Sequence, residues 1–247
     1  MSVRPEELLI GTVADLIGRV RHVAVGALSP IPAAAALLGA RRHDGMRVSI
    51  LNSRRHSFFT DGGRELFDCA GQGRIDAFFL SGGQIDGSGN VNLVAIGEYD
   101  RPKARFSGSF GSAYLYYVVP KVILFRLEHT RRTLVEQVDF ISAPGTSAPG
   151  TYRPGGPHAL VTELCIFGFD KPSGRFALAS LHPGVTLEEV RDRTGFGFAV
   201  PENIPETALP SDADLALMRG PVAKDLAETY PAFAADVLGW RADESVR

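Results

Sequence analysis

Gly82-Gly83-Gln84-Ile85-Asp86-Gly87-Ser88-Gly89-Asn90-Val91-Asn92 stands just after Ile75-Asp76-Ala77-Phe78-Phe79-Leu80. The earlier run is apolar, rich in aromatics and too short for a helix, so it reads as a buried strand. Paired glycines just past a strand let backbone amides approach a ligand closely, because no Cβ intervenes. The carboxyl end of a strand in an open α/β sheet is where a ligand crevice lies. A tight turn uses the same residues, so the stretch by itself leaves a plain glycine turn equally open.

Outward from this stretch, strands and helices alternate. Pro5 to Val20 has Leu8, Leu9, Val13, Leu16 and Ile17 at helical spacing, with Pro5 suited to a first turn. His22 to Gly26 is a short strand. Ser29-Pro30 opens a helix, Ala33 to Leu38, with Gly39 as its stop. Arg47 to Leu51 is the next strand and Asn52 to His56 its carboxyl-end loop. Asp61-Gly62-Gly63 is a turn and Arg64 to Ala70 a short helix. Tyr114 to Tyr117 reads as a core-facing helix, Val122 to Leu127 and Val138 to Ile141 as strands. Ala143 to Pro157 is a loop rich in Gly, Pro, Ser and Thr, long enough to be mobile or functional. Ala159 to Phe169 and Arg175 to Leu181, split by Asp170 to Gly174, form an antiparallel hairpin at the sheet edge. Thr186 caps a short helix to Arg193. Amphipathic helices follow at Asp212 to Arg219 and Val222 to Trp240. The pattern predicts an α/β fold: a mostly parallel open sheet flanked by helices, with an antiparallel edge hairpin. We expect one domain over 1–247, with a C-terminal helical extension at about 210–241.

Hydrophobic residues make up 45% of the chain, enough for a sizeable core and too many for a disordered one. The net charge of -2, without a basic block, argues against nucleic acid as a main partner. Cys69 and Cys165 lie in apolar settings with no metal-ligand neighbour, as buried reduced thiols do. No apolar run approaches the ~20 residues of a membrane span. Met1 to Arg21 lacks a secretory apolar core and carries Glu6, Glu7 and Asp15, so a cytoplasmic location is expected.

The glycine stretch resembles the GG-Q-(I/V)-D-x-x-GNVN segment of the β subunits of class I CoA-transferases. Lys121 to Thr130 is similar to that family's apolar strand ending in E-H-T. His182 to Val190 with Thr194-Gly195-Phe196 is similar to its PGVTLEEV…TGF segment. Three such motifs in order cover roughly residues 20 to 205. The resemblance implies a transferase-like α subunit as partner in an α2β2 assembly, an acyl-CoA substrate, and no cofactor beyond the CoA the substrate carries. It also implies a glutamate nucleophile in an E-(N/S)-G turn after the second strand. The matching residue here is Asn52, and no Glu lies between Asp44 and Gly63. An amide does not form the mixed anhydride that a carboxylate forms. Asn at that position with an arginine inside the later strand resembles the β subunits of bacterial steroid ring-cleaving CoA-thioester hydrolases. That subgroup implies hydrolytic carbon–carbon cleavage of a cyclic β-keto acyl-CoA in steroid degradation. A conventional CoA-transferase subunit and a non-catalytic ligand-sensing subunit are the competing readings.

Arg126 is the expected catalytic residue. A guanidinium within an apolar strand must meet an anion or reach water. Two readings stand: an internal ion pair, to Glu128 or Asp86, or a cation facing a cleft. Alternation puts Arg126 and Glu128 on one face and His129 on the other. The expected substrate- or CoA-binding set is Asn52, Arg54, Gly82, Gly83, Gln84, Gly108, Ser109, Glu128 and His129. Gly108 and Ser109 resemble part of the family's G-S-G-G-A-N-D turn and stand before a helix, where free amides hold anions or cap helices. No Walker-type loop, Cys/His cluster or G-x-S-x-G elbow occurs, so no metal and no serine hydrolase chemistry is expected.

Overall fold

The computed structural model describes residues 2 to 241. The outermost residues of the expected 1–247 span lie outside it. In chain order the elements begin with α1 (Pro5–Ile17), β1 (His22–Val25), α2 (Pro30–Arg42), β2 (Arg47–Ile50), α3 (Gly62–Gly71), β3 (Ala77–Leu80), β4 (Gln84–Asp86), β5 (Val91–Asn92), β6 (Ala95–Gly97) and β7 (Pro102–Arg105). They continue with α4 (Ser112–Val118), β8 (Lys121–Phe125), β9 (Leu134–Val135), β10 (Pro157–Val161), β11 (Cys165–Asp170), β12 (Arg175–Leu181) and α5 (Leu187–Arg193). Last come α6 (Asp212–Leu217), a π-helical turn (Met218–Val222), α7 (Ala223–Leu226) and α8 (Pro231–Asp236). The chain divides into two units: residues up to Glu65 together with those from Ala208 onward, and Leu66–Thr207.

In the first unit, Pro5 opens α1, with Glu6 and Glu7 in its first turn near the positive end of the helix dipole. Gly18, at a φ of +62°, ends it. Ile10, Val13 and Ile17 are fully buried and form its core face, and α2 contributes Ala33 to Ala36, equally buried. The buried Glu7 carboxylate accepts from Arg219 Nε at 2.6 Å and Nη2 at 2.8 Å, tying α1 to the π-helical turn. Strands β1 and β2 pair in parallel, Val23 opposite Val48. Gly39 does not stop α2, which continues to Arg42. The glycine instead admits the Met46 methyl, which would lie 3.1 Å from a Cβ there. The expected helix Val222 to Trp240 is broken, because Pro231 lacks an N–H and starts a new helix rather than continuing α7.

In the second unit the main strands run in the order β12-β11-β10-β8-β3. Strands β3, β8 and β10 are parallel, with Leu80 and Leu160 both opposite Leu124. Strands β11 and β12 are antiparallel at the edge. The single strand expected over Ala159 to Phe169 is two. Thr162 Oγ1 accepts the amides of Leu164 and Cys165, each at 3.2 Å, and turns the chain back on itself. Val138 to Ile141 is not a strand. Leu134 and Val135 pair with Ile85 and Asp86 instead, while the Asp139 amide donates to Gln84 Oε1 at 3.0 Å. Of the four residues Tyr114 to Tyr117, only Leu115 and Tyr116 are buried; Tyr114 is 43% exposed. Both cysteines are buried and free, and burial pushes the Cys165 thiol up to about 12.

Candidate functional site

The parallel strands of the second unit release their chain toward one edge, where β3 leads into Gly82-Gly83 and β8 into Arg126. A Cβ on Gly82 would lie 2.4 Å from Val91 Cγ1, and one on Gly83 within 2.0 Å of the Phe106 ring. Both glycines are therefore demanded by packing. The Gly83 amide donates to the Asn92 carbonyl at 2.9 Å, so it is occupied within the protein. The polar side chains of the stretch are spent the same way. Asn92 Nδ2 donates to Gln84 Oε1 at 2.7 Å. The buried Asp86 carboxylate accepts from the amides of Ser88 and Asn90 and from Asn90 Nδ2, at 2.9 to 3.1 Å. Gln84 thus serves as a clamp between the turn and the segment at Asp139.

Arg126 stands one residue past the end of β8, its amide donating to Val161 O at 3.0 Å. Its Nη2 donates to Glu128 Oε2 at 2.7 Å, each side chain about a third exposed (31% and 32%). Asp86, engaged with Ser88 and Asn90, is not its partner. Arg132 donates to the other Glu128 oxygen at 2.5 Å. The Arg132 hydrogen bond, aided by the charge of Arg126, holds the Glu128 carboxyl below its ordinary value. Two cations on one carboxylate leave the group with a net positive charge. Arg126 Nε is buried and has no acceptor among the described residues.

His129 is fully buried. Its Nδ1 and Nε2 lie 2.8 Å from the hydroxyls of Thr162 and Thr194. Thr194 Oγ1 donates to Val190 O at 2.6 Å, so it accepts from His129 Nε2–H, and Nδ1 accepts from Thr162. Burial first, with the charges of Arg193 and His182, lowers the His129 pKa to about 4. His129 is a neutral cross-link between the end of β10 and the end of α5. Gly108 is exposed at a φ of +102°. The Ser109 carbonyl accepts from the Ser112 amide at 2.8 Å, and the left-handed Gly111, which a side chain would drive into the Phe67 ring, caps α4.

In the first unit, the loop after β2 starts at Asn52, exposed and left-handed at a φ of +72°. Asparagine tolerates that conformation better than other non-glycine residues, and such outliers cluster at functional sites. The loop is held by residues that sequence reasoning missed. Glu228, between α7 and α8, accepts from Ser53 Oγ at 2.7 Å and from the Arg54 amide at 2.8 Å. Burial acts to raise the Glu228 pKa, but the Arg54, Ser53, Thr229 and Arg55 hydrogen bonds outweigh it and bring it to about 2. Asp225 pairs with Arg41 at 2.6 Å and Arg55 at 3.4 Å. No local sequence signal marks contacts between positions so far apart in the chain. Arg54 itself is exposed, and its guanidinium has no acidic partner among the described residues.

The model of the family described as Coenzyme A transferase matches residues 33–193. The B-type subunit of the 3-oxoadipate CoA-transferase of Pseudomonas knackmussii is 37% identical over 161 residues, 63% of this chain and 62% of that one. The cholesterol ring-cleaving hydrolase IpdB subunit of Rhodococcus jostii is 32% identical over 160 residues, again 63% and 62%. The match therefore spans less than two thirds of the length of these curated relatives. The crystal structure of Rhodococcus jostii IpdAB superposes with a TM-score of 0.76 at 26% identity, covering 89% of this chain and 94% of that one.

Proposed function

Because this chain belongs to the coenzyme A transferase family, we propose that it is the B-type subunit of a heteromeric acyl-CoA enzyme and that no glutamyl-CoA intermediate forms on it. The observation that carries the reading is Asn52, alone at the left-handed turn where β2 ends and where the family resemblance calls for a glutamate. The reaction class that fits is hydrolytic carbon–carbon cleavage of a cyclic β-keto acyl-CoA of steroid origin. The similarity to the IpdB subunit supports this finer reading. An α-type subunit completes an α2β2 assembly and supplies the carboxylate base. Water adds to the ring ketone, and the adjacent carbon–carbon bond breaks to give a carboxylate and a thioester enolate, which then takes up a proton. Arg126 is the catalytic cation for that enolate: Glu128 orients its guanidinium, about a third of which is exposed. Substrate-binding candidates are Asn52 and Arg54 within the first unit and, separately, Gly108 and Ser109 within the second; Gly82 and Gly83, fixed by packing, belong to the scaffold. Gln84 and His129 support the loops of the second unit from beneath.

A second reading, a conventional CoA-transferase subunit, draws on the 37% identity to the 3-oxoadipate enzyme and on the Glu228 carboxylate beside the Asn52 loop. Acyl exchange separates the two. The chain copurified with its α-type partner is given two CoA esters, one labelled, together with free carboxylates. The proposal expects hydrolysis products and no exchange of label; steady label exchange would favour the transferase.

A further inference from the structure

The loop at residues 143–157 walls a cavity of about 210 Å³, lined by Thr146, Ser147, Thr151, Arg153 and, from the turn after β11, Lys171. Among the described residues the lining contains two cations and no acidic side chain. Arg153 is held by neutral groups: Nη2 donates to Pro144 O at 2.7 Å and Tyr116 O at 3.2 Å, and Nη1 to Ser147 Oγ at 3.3 Å. Its Nε is buried without an acceptor among the described residues. No carboxylate pairs with it among the described residues, so its charge lacks a counter-ion, and a half-buried guanidinium in that state favours an incoming anion.

The loop is also preformed. A Cβ on Gly145 would fall 2.1 Å from the Ser88 carbonyl oxygen, and one on Gly155 2.5 Å from that of Tyr117. The two glycines let the loop lie directly on neighbouring backbone. The Gly145 amide donates to Asn90 Oδ1 at 3.0 Å and that of Gly155 to Tyr117 O at 2.8 Å. A loop pinned at both ends loses little freedom when it takes a ligand.

We propose that this cavity binds a phosphate group, held by Arg153 and Lys171 and by the hydroxyls of Thr146, Ser147 and Thr151. Two cations with several hydroxyl donors suit a compact oxyanion carrying nearly two charges. The volume falls below the ~300 Å³ at which sites for whole drug-sized ligands begin, so the cavity takes a group rather than a complete nucleotide. The assignment does not depend on the reaction proposed above.

Calorimetric titration of the full chain with inorganic phosphate at low salt tests it. Saturable binding is expected, weakened roughly tenfold by Lys171→Ala and at least as much by Arg153→Lys, as removing one charge-assisted contact does. Lys171 is exposed, so Lys171→Ala keeps its melting temperature and remains a fair test even where Arg153→Lys disturbs the loop. Competition then identifies the source. Displacement by CoA but not by CoA lacking its 3′-phosphate places that phosphate in the cavity; displacement by both places the diphosphate there. Phosphate that CoA leaves bound is free phosphate in its own site. Absence of saturable binding, or Lys171→Ala binding as tightly as the unmodified chain, overturns the proposal.

Discussion

The Gly82–Asn92 stretch is buried, folds on itself around Asp86 and is buttressed by neighbouring segments of its own unit at Thr133, Asp139 and Ala143, whereas the Asn52–His56 loop takes its side-chain partners from Asp225 and Glu228 near the far end of the chain. Both follow parallel strands. The first is buried and closed by short-range amide and carboxylate contacts, so it is rigid by construction. The second is exposed and left-handed, and its geometry depends on two distant carboxylates. A strand-end loop of the first kind is a scaffold. One of the second kind is held by the charges of groups elsewhere in the chain. The loop after β8 is a third case, held by the Arg126–Glu128 ion pair at its own surface.

The largest expected effect lies in that third loop. Arg126→Ala should leave the complex folded, because an ion pair a third exposed contributes little to stability. Turnover should fall by about 2–5 kcal/mol of transition-state stabilisation, roughly thirtyfold to several-thousandfold. Arg126→Lys should rescue poorly, since a point charge does not replace the planar fork. A destabilised but fully active variant would reduce this loop to a scaffold as well.

Asp86→Ala attacks the closed stretch. It strips three donors of their common acceptor and should cost about 3–5 kcal/mol. In a chain of this size that lowers the melting temperature by roughly 6 °C or more. A shift below about 2 °C would mean the stretch is held by something other than its own polar network.

His129 gives a pH test of the same scaffold. Its folded pKa of about 4 lies below the ~6.5 of an unfolded chain, because burial disfavours the charged ring. Its neutral-state stabilisation is therefore full above pH ~6.5 and is lost as pH falls toward about 4. The contribution is on the order of 3 kcal/mol. Chemical denaturation at stepped pH should show this loss, and His129→Gln should flatten it; an equal slope in the variant would contradict the buried neutral assignment.

The smallest effect on global stability, and the sharpest contrast, is expected at Glu228. Glu228→Gln should shift the melting temperature little, yet amide exchange at Arg54 should speed up, by roughly tenfold. With its pKa lowered to about 2, the Glu228 clamp is complete above pH ~4.5 and released as pH falls toward 2. The Arg54 protection factor, which is exchange relative to the intrinsic rate at each pH, should fall across that window in the unmodified chain and stay flat in the variant.

Much of this was legible in the sequence. Short apolar runs alternating with helical spacing predicted parallel strands, and the glycine pair fell at a strand's carboxyl end. The rest depended on side chains acting at a distance. Thr162 splits one expected strand by capturing two amides, Gly39 continues a helix because Met46 packs on it, and Pro231 divides a pattern whose periodicity is unbroken. His129 follows a strand and alternates with Arg126, but its burial is set by Thr162 and Thr194, far along the chain. For the Asn52 loop, the missing glutamate was visible and the clamp by Glu228 was not, since periodicity says nothing about contacts across that separation.

Above all, the chain is held to carry no covalent acyl or CoA intermediate. The copurified complex, incubated with its acyl-CoA and quenched with borohydride, reports on this directly when the chain is digested and each glutamate-containing peptide is weighed. The account predicts that every glutamate, Glu228 included, is recovered unmodified while the substrate is consumed. A glutamate reduced to its alcohol, and only in the presence of acyl-CoA, would contradict it.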